Sequence, residues 1–251
     1  MLLEICAGSL TSALNAQLGG AARVELCENL HEGGITPGPS SIIIAGKQLR
    51  IPFFVLIRPR PGDFLYNDLE FRQMKENIIF CKEHRAEGVV LGILKADGTA
   101  DIDRTAELVR LAHPMQVTFH RAFDRTNDPF QAMEDIISLG IARILTSGQA
   151  ANAPDGAGLI AELIKQAAGR IIIMPGAGIN EDNIQELQSI TKAVEFHSSL
   201  SSPVKSRMQF RNDKTFMGKA GEDEYTWLET DQERVRNFLA KLNLPFQIIK
   251  L

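Results

Sequence analysis

The sequence predicts an α/β protein, and more specifically a (β/α)8 TIM-type barrel. Three observations support this prediction. A short apolar or β-branched run, a polar or Gly/Pro-containing loop and an amphipathic stretch follow one another eight times. The runs are nearly unbroken apolar segments, as expected of parallel strands covered by helices. No GxGxxG follows the first run, and eight regular units fit a closed barrel better than the alternative, a doubly wound open sheet.

The expected strands and helix starts can be placed on the sequence individually. In chain order the strands are Leu2–Cys6, Arg23–Cys27, Phe53–Arg58, Gly88–Leu91, Gln116–His120, Arg143–Thr146, Arg170–Met174 and Ala193–His197. The residues expected to open helices are Ser9 or Thr11, Asp68, Asp101 or Asp103, Asp128 before Pro129, Asp155, Asn180 and Asp231. The sequence has no internal linker or low-complexity segment, so residues 1–251 are interpreted as a single domain. Residues 1–199 form the eight βα units, and 200–251 form a long loop plus a C-terminal helix ending near Leu242.

Composition excludes several classes of function. The chain has 251 residues and a formal net charge of -4, which argues against a general nucleic-acid binder. No run approaches the roughly 20 apolar residues of a membrane span, and the first residues lack the basic flank of a signal peptide. Three cysteines do not make a disulfide framework. We therefore expect a cytoplasmic protein with no membrane or nucleic-acid partner.

A doubled Glu-x-Cys pattern ends the first two strands. Glu4 and Cys6 share one face of the first strand, and Glu25 and Cys27 share one face of the second. Burying two carboxylates against the helix layer would be costly, so both pairs are expected to point into the barrel mouth. Adjacent strands lie about 4.8 Å apart, which lets two sulfurs share a soft metal. The alternatives are that the cysteines are small buried side chains and that the glutamates only pair with Arg58 or Arg121.

Other strand ends also carry residues suited to catalysis or binding. Arg58 and Arg60 follow the third strand, and His120 and Asp124 follow the fifth. His120 adjoins Arg121, which favours a neutral imidazole able to act as a base or ligand. Glycines and a hydroxyl near the ends of the sixth and seventh strands suggest an anion site, which with Arg60 comprises Ser147, Gly148, Gly176 and Gly178. The catalytic candidates are Glu4, Glu25, Arg58, His120 and Asp124.

These residues lie in segments that resemble the CutC family, named for copper homeostasis. The segments are LLEIC at 2–6, RVELC at 23–27, EGGITP at 32–37, IRPRPGDFLY at 57–66, VTFHRAFD at 117–124, ARILTSGQ at 142–149, IIMPGAGI at 172–179 and EFHSS at 195–199. The resemblance covers essentially the whole chain. It implies a TIM-type barrel, a cytoplasmic homo-oligomer (dimer or tetramer) and copper handling through cysteines at positions such as Cys6 and Cys27. Ala7 stands where the family often has a further cysteine, so a three-sulfur site is not implied here.

Three hypotheses for the function follow. In the first, Cys6 and Cys27 bind copper as Cu(I), and the two glutamates tune the site. In the second, the protein is an isomerase, lyase or hydrolase acting on a small anionic or phosphorylated substrate. Arg58 and Arg60 would then clamp the anion, while His120 and Glu25 exchange protons. In the third, the polar mouth serves stability alone.

Overall fold

A computed structural model describes residues 1–212, 214–218 and 221–242. Its centre is a nearly closed barrel of eight parallel strands, which confirms the predicted fold class. The strands are β1 (Leu2–Ala7), β2 (Arg23–Leu26), β3 (Phe53–Leu56), β4 (Gly88–Leu91), β5 (Gln116–Phe119), β6 (Arg143–Thr146), β7 (Ile172–Pro175) and β8 (Glu195–Ser198). Each agrees with its expected range to within two residues.

Helices follow the strands in alternation and cover the outside of the barrel. They are α1 (Leu10–Gly19), α2 (Pro39–Gln48), α3 (Asp68–Glu83), α4 (Ile102–Ala112), α5 (Pro129–Ser138), α6 (Ala157–Ala167), α7 (Ile184–Thr191) and α8 (Gln232–Lys241). Ser9 and Asp128 accept hydrogen bonds from the first turns of α1 and α5, as predicted for N-caps. At α3 the cap is Asn67, one residue before the expected Asp68. Helices α6 and α7 start two and four residues later than expected.

The register of the strands determines which side chains share a level of the barrel interior. Cys6 of β1 lies opposite Glu25 of β2, and Glu4 lies opposite both Arg23 of β2 and His197 of β8. Alternate residues of β1, such as Ile5, instead belong to the apolar core between strands and helices. The charged residues of β1, β2 and β8 therefore point into the barrel, as the period of a strand requires.

The backbone ladder is open at one seam. The strands pair in the order β7, β6, β5, β4, β3, β2, β1, β8, and no ladder joins β7 to β8 among the described residues. The two strands are nevertheless neighbours, and the hydroxyl of Ser198 at the end of β8 donates to the carbonyl of Ile179 beyond β7 at 2.6 Å. Side chains, more than the backbone, close the barrel at this seam.

The segment after β8 differs from the expected long loop. It contains an antiparallel hairpin of β9 (Ser201–Lys205) and β10 (Thr226–Thr230), and α8 then begins after its cap, Asp231. Exposed side chains and Pro203 weaken the strand pattern, which is why the sequence did not reveal the hairpin. The part of the predicted tail after Leu242 lies outside the described residues. Within the described part of the chain, no helix is long and apolar enough to cross a bilayer.

Candidate functional site

Two thiols meet at the mouth of the barrel. The Sγ atoms of Cys6 and Cys27 are 3.4 Å apart, and the Cys27 thiol also lies 3.4 Å from the carbonyl oxygen of Ala7. Cys27 is fully buried, whereas Cys6 is partly exposed. The third cysteine, Cys81, is buried in the core on α3. The doubled Glu-x-Cys pattern therefore does bring its two sulfurs together.

A carboxylate and an imidazole complete this cluster. Ligand atoms of Cys6, Glu25 and Cys27 all lie within 4.8 Å of one another. Nε2 of His197 is 3.5 Å from a carboxylate oxygen of Glu25, and Nδ1 of the same ring is 2.7 Å from Oε1 of Glu4. Glu4 is fully enclosed by protein and does not reach the water at the barrel mouth, contrary to the position expected for it.

Burial and neighbouring charges set the protonation of the cluster. Burial by itself raises the pKa of Glu4, but the charge of Arg23 and the contact with His197 outweigh it and lower the pKa to about 2. Burial raises the pKa of Glu25. The contact with Cys27, together with burial, raises the pKa of the Cys6 thiol well above its usual range. The pKa of His197 is raised as well. Burial opposes the charge of the ring, but the contacts with Cys6 and Glu4 outweigh burial.

A network of buried charges lies inside the barrel, next to the thiol cluster. Arg23 contacts Glu4 and donates to Glu195 at 2.7 Å, and Arg143 donates to the same Glu195 oxygen at 3.2 Å. Both guanidinium groups lie about 5 Å from the Phe54 ring centroid (4.9 Å and 5.1 Å). This arrangement pairs two cations with two anions inside the barrel, which is how buried charges are tolerated.

Sequence reasoning missed part of this arrangement. It assigned no function to Arg23, Arg143 or Glu195 and left the role of His197 open. The available signal was strand periodicity: Arg23 alternates with Glu25 on β2, and Glu195 alternates with His197 on β8. Once Glu25 is assigned to the interior, the same face of each strand must carry these residues too.

Arg58 and His120 form a second group around Phe64. The Arg58 guanidinium donates to the carbonyls of Glu32, Gly34 and Gly62 at 2.7 to 3.0 Å, so two of its nitrogens are already engaged. This argues against the role of anion clamp expected for Arg58. Arg58 instead holds the loops that follow β2 and β3 at the mouth.

The protonation of His120 follows from its hydrogen bond. The backbone N–H of Ala122 donates to Nδ1 at 3.1 Å, so Nδ1 is unprotonated and the proton of the neutral ring lies on Nε2. Nε2 is buried and has no partner among the described residues. Burial, reinforced by the charge of Arg58, lowers the pKa of His120 to about 3. The ring is therefore neutral at physiological pH, as expected, but the described structure gives no contact between it and Glu25.

The other candidate residues are engaged in local structure. Asp124 accepts hydrogen bonds from Thr146, from the backbone and side chain of Ser147 and from Arg121. Arg60 pairs with Asp63 and Glu70 at 2.8 and 2.7 Å. A Cβ atom on Gly148 would lie 2.3 Å from the carbonyl oxygen of Gly156, so this glycine permits a close loop contact. A Cβ atom on Gly176 would collide with Leu145 at 2.5 Å.

A cavity of about 400 Å³ opens above the thiol cluster. Cys6 and His197 border it, together with residues that follow β5, β7 and β8. Of the residues expected to bind an anion, only Gly178 lines this cavity. The arrangement offers two chemistries, namely ligation of a soft metal by paired sulfurs and binding of a small molecule over a thiol and an imidazole.

Comparison with known proteins identifies the family. The family model described as "CutC family" matches residues 1–202. The chain belongs to the CutC family. A CutC family protein of Chromobacterium violaceum is 51% identical, with 94% of this chain and 95% of that protein covered. A human protein named copper homeostasis protein cutC homolog is 45% identical, with 96% and 89% covered.

Solved structures agree with this assignment. The crystal structure of a CutC protein from Streptococcus agalactiae is 34% identical, with a TM-score of 0.76, and covers 79% of this chain and 98% of its own. Phosphoribosylanthranilate isomerase from Thermotoga maritima is 13% identical with a TM-score of 0.56, covering 97% of this chain and 98% of its own. The second similarity concerns the barrel fold alone, since this fold hosts many chemistries.

Proposed function

We propose that this CutC family member binds copper as Cu(I) through Cys6 and Cys27. The observation that supports the proposal best is the 3.4 Å separation of the two Sγ atoms at the barrel mouth. Thiolates are soft ligands suited to Cu(I), and Glu25 supplies a nearby carboxylate. The name of the human relative points to copper homeostasis.

The residues around the sulfurs fit this role. The thiols are protonated at rest, so a metal that binds them releases protons. Glu25 and His197 both interact with Cys6, and Nε2 of His197 lies 3.5 Å from a Glu25 carboxylate oxygen. Cys6 faces the cavity, which gives a metal ion access from solution, while buried Cys27 holds the inner side of the site.

Anaerobic Cu(I) titration against a competing chelator tests the proposal. We expect the wild type to bind one Cu(I) per chain and the Cys6→Ser/Cys27→Ser variant to bind at least about 100-fold more weakly, because both soft ligands are gone. Cys81→Ala is the matched control, since it removes a buried thiol outside the cluster and should keep wild-type affinity. Equal affinity of the wild type and the double variant would rule the proposal out.

A second candidate function is an enzyme, of the isomerase, lyase or hydrolase type, acting on a small anionic substrate. The observation in its favour is the 400 Å³ cavity that places Cys6 and His197 at its border. This candidate function does not use Arg58 and Arg60 to bind the anion. Carbonyl oxygens already engage Arg58, and carboxylates engage Arg60. The anion must therefore be held by other residues.

A further inference from the structure

The described residues that line the cavity carry basic but no acidic side chains. They include two arginines and a histidine, together with three serines and an asparagine. One arginine, Arg234, is already neutralised by two hydrogen bonds of 2.8 Å to Glu181. The other, Arg121, pairs with Asp124 through Nε and keeps more of its guanidinium available to a molecule in the cavity.

Arg121 is held in position and still has a free donor. Its Nε donates to Asp124 at 2.7 Å, and one terminal nitrogen donates to the Ser147 hydroxyl at 2.8 Å. The second terminal nitrogen has no acceptor among the residues that the structure describes. The side chain is 42% exposed overall and borders the cavity. Asp124 therefore orients the guanidinium without using all of its donors, and a planar guanidinium with free N–H groups suits an oxyanion.

Residues of two turns that line the cavity have backbone N–H groups that are unpaired within the described part of the chain. Ala177 and Gly178, after β7, have φ angles of +76° and +71°, and Leu200, after β8, has a φ of +43°. The N–H groups of these three residues and of Ser199 donate to no acceptor in residues 1–212. Consecutive backbone donors in such turns form concave sites for anions.

Glycine at position 178 permits the close approach of the turn after β7 to Asn152. A Cβ atom at this position would lie 2.8 Å from Cβ of Asn152, in a backbone conformation that favours glycine. The carbonyl of Gly178 also accepts from the Asn183 side chain at 2.8 Å. This hydrogen bond links the turn that carries the unpaired donors to the residue before α7.

We propose that the cavity binds a small phosphate-bearing molecule. Its phosphate lies against Arg121 and the turns after β7 and β8, and the rest of the molecule extends to Cys6 and His197. This proposal rests on the second candidate function above, to which it assigns a ligand class. The binding of the ligand does not depend on that function being correct. Binding itself can be measured without copper and without turnover.

Calorimetric titration with glycerol 3-phosphate tests the proposal, with glycerol as the uncharged control and inorganic phosphate and acetate as further probes. We expect glycerol 3-phosphate to bind with a Kd below about 1 mM, inorganic phosphate more weakly, and acetate and glycerol not measurably. Arg121→Gln should weaken glycerol 3-phosphate binding at least about 10-fold, and Arg121→Lys should restore part of it. Arg60→Gln is the matched control, because Arg60 is an ion-paired arginine that does not line the cavity.

The same titration is repeated on the Cys6→Ser/Cys27→Ser variant, which separates this proposal from the copper site. Retained glycerol 3-phosphate binding in that variant supports an anion site independent of the thiols. Circular dichroism of each Arg121 variant establishes that the fold is intact. Absence of glycerol 3-phosphate binding to the wild type, or equal binding by the wild type and a folded Arg121→Gln variant, would overturn the proposal.

Discussion

At the scale of a single residue, His120 shows how burial determines charge. Its ring is enclosed by protein and adjoins Phe64, with ring centroids 4.9 Å apart. A proton would have to be added to a group that is already desolvated and lies in the field of Arg58. The pKa of His120 is about 3 in the folded protein, against an ordinary value of 6.5. The unfolded chain consequently binds more protons than the folded one between these two pH values.

This difference predicts how stability depends on pH. The contribution of His120 is fully present above pH 6.5 and decreases as the pH falls toward about 3, by at most about 1.4 kcal/mol per pH unit. His120→Gln should therefore show a shallower loss of unfolding free energy than the wild type between pH 6.5 and 4. Urea denaturation at several pH values measures this. Identical slopes for the wild type and His120→Gln would contradict the assignment.

At the scale of elements, the buried charges connect strands that are not neighbours. Arg143 of β6 and Arg23 of β2 both donate to Glu195 of β8, so one carboxylate links three strands across the interior. Breaking a buried ion pair by removing one partner usually costs far more than breaking an exposed one, because a desolvated charge is left without compensation. Glu195 is therefore expected to be important for stability even though it does not touch the thiols.

Glu195→Gln tests this expectation. We predict that it lowers the free energy of unfolding by about 3–5 kcal/mol, since two arginines then share Glu4 as their remaining anion. Glu134→Gln is the control, because it removes one partner of an exposed pair with Arg170 and should leave stability unchanged. Chemical denaturation monitored by circular dichroism measures both. A Glu195→Gln variant as stable as the Glu134→Gln variant would mean that the network does not stabilise the barrel.

At the scale of the whole molecule, the barrel has one seam without a backbone ladder, between β7 and β8. Strand β4, by contrast, is paired on both sides, with β3 and β5. Amide hydrogens that take part in a ladder exchange with solvent only when the structure opens locally. Local stability should therefore be lowest at the seam, where the Glu195 network and the Ser198 hydrogen bond supply the closing contacts.

Hydrogen exchange followed by mass spectrometry can locate this weak point. We expect peptides covering β7 and β8 to exchange faster than a peptide covering β4. The Glu195→Gln variant should enlarge that difference, because it removes the side-chain link across the seam. Uniform exchange over the eight strands, or an equal increase everywhere in the variant, would show that the seam is not a separate region of low stability.

The barrel fold could be predicted from the sequence because parallel strands covered by helices must be apolar runs. It was less informative about the interior. Cys6, Glu25 and Cys27 could be grouped from strand order and period alone. Arg143 and Glu195 were not identified because a charge at a strand start is ordinarily exposed, and only pairing inside the barrel makes its burial tolerable. The contacts of Arg58 depend on loop conformations that no periodic pattern encodes.

The burial of Cys27 behind Cys6 imposes an order of events on the thiol cluster. Of the two thiols only Cys6 opens toward solvent, so an ion entering the proposed copper site would meet the outer sulfur before the inner one. Loading of the proposed site would then be stepwise. A molecule seated in the cavity would stand across that route, so metal uptake and occupancy of the cavity would compete for one entrance.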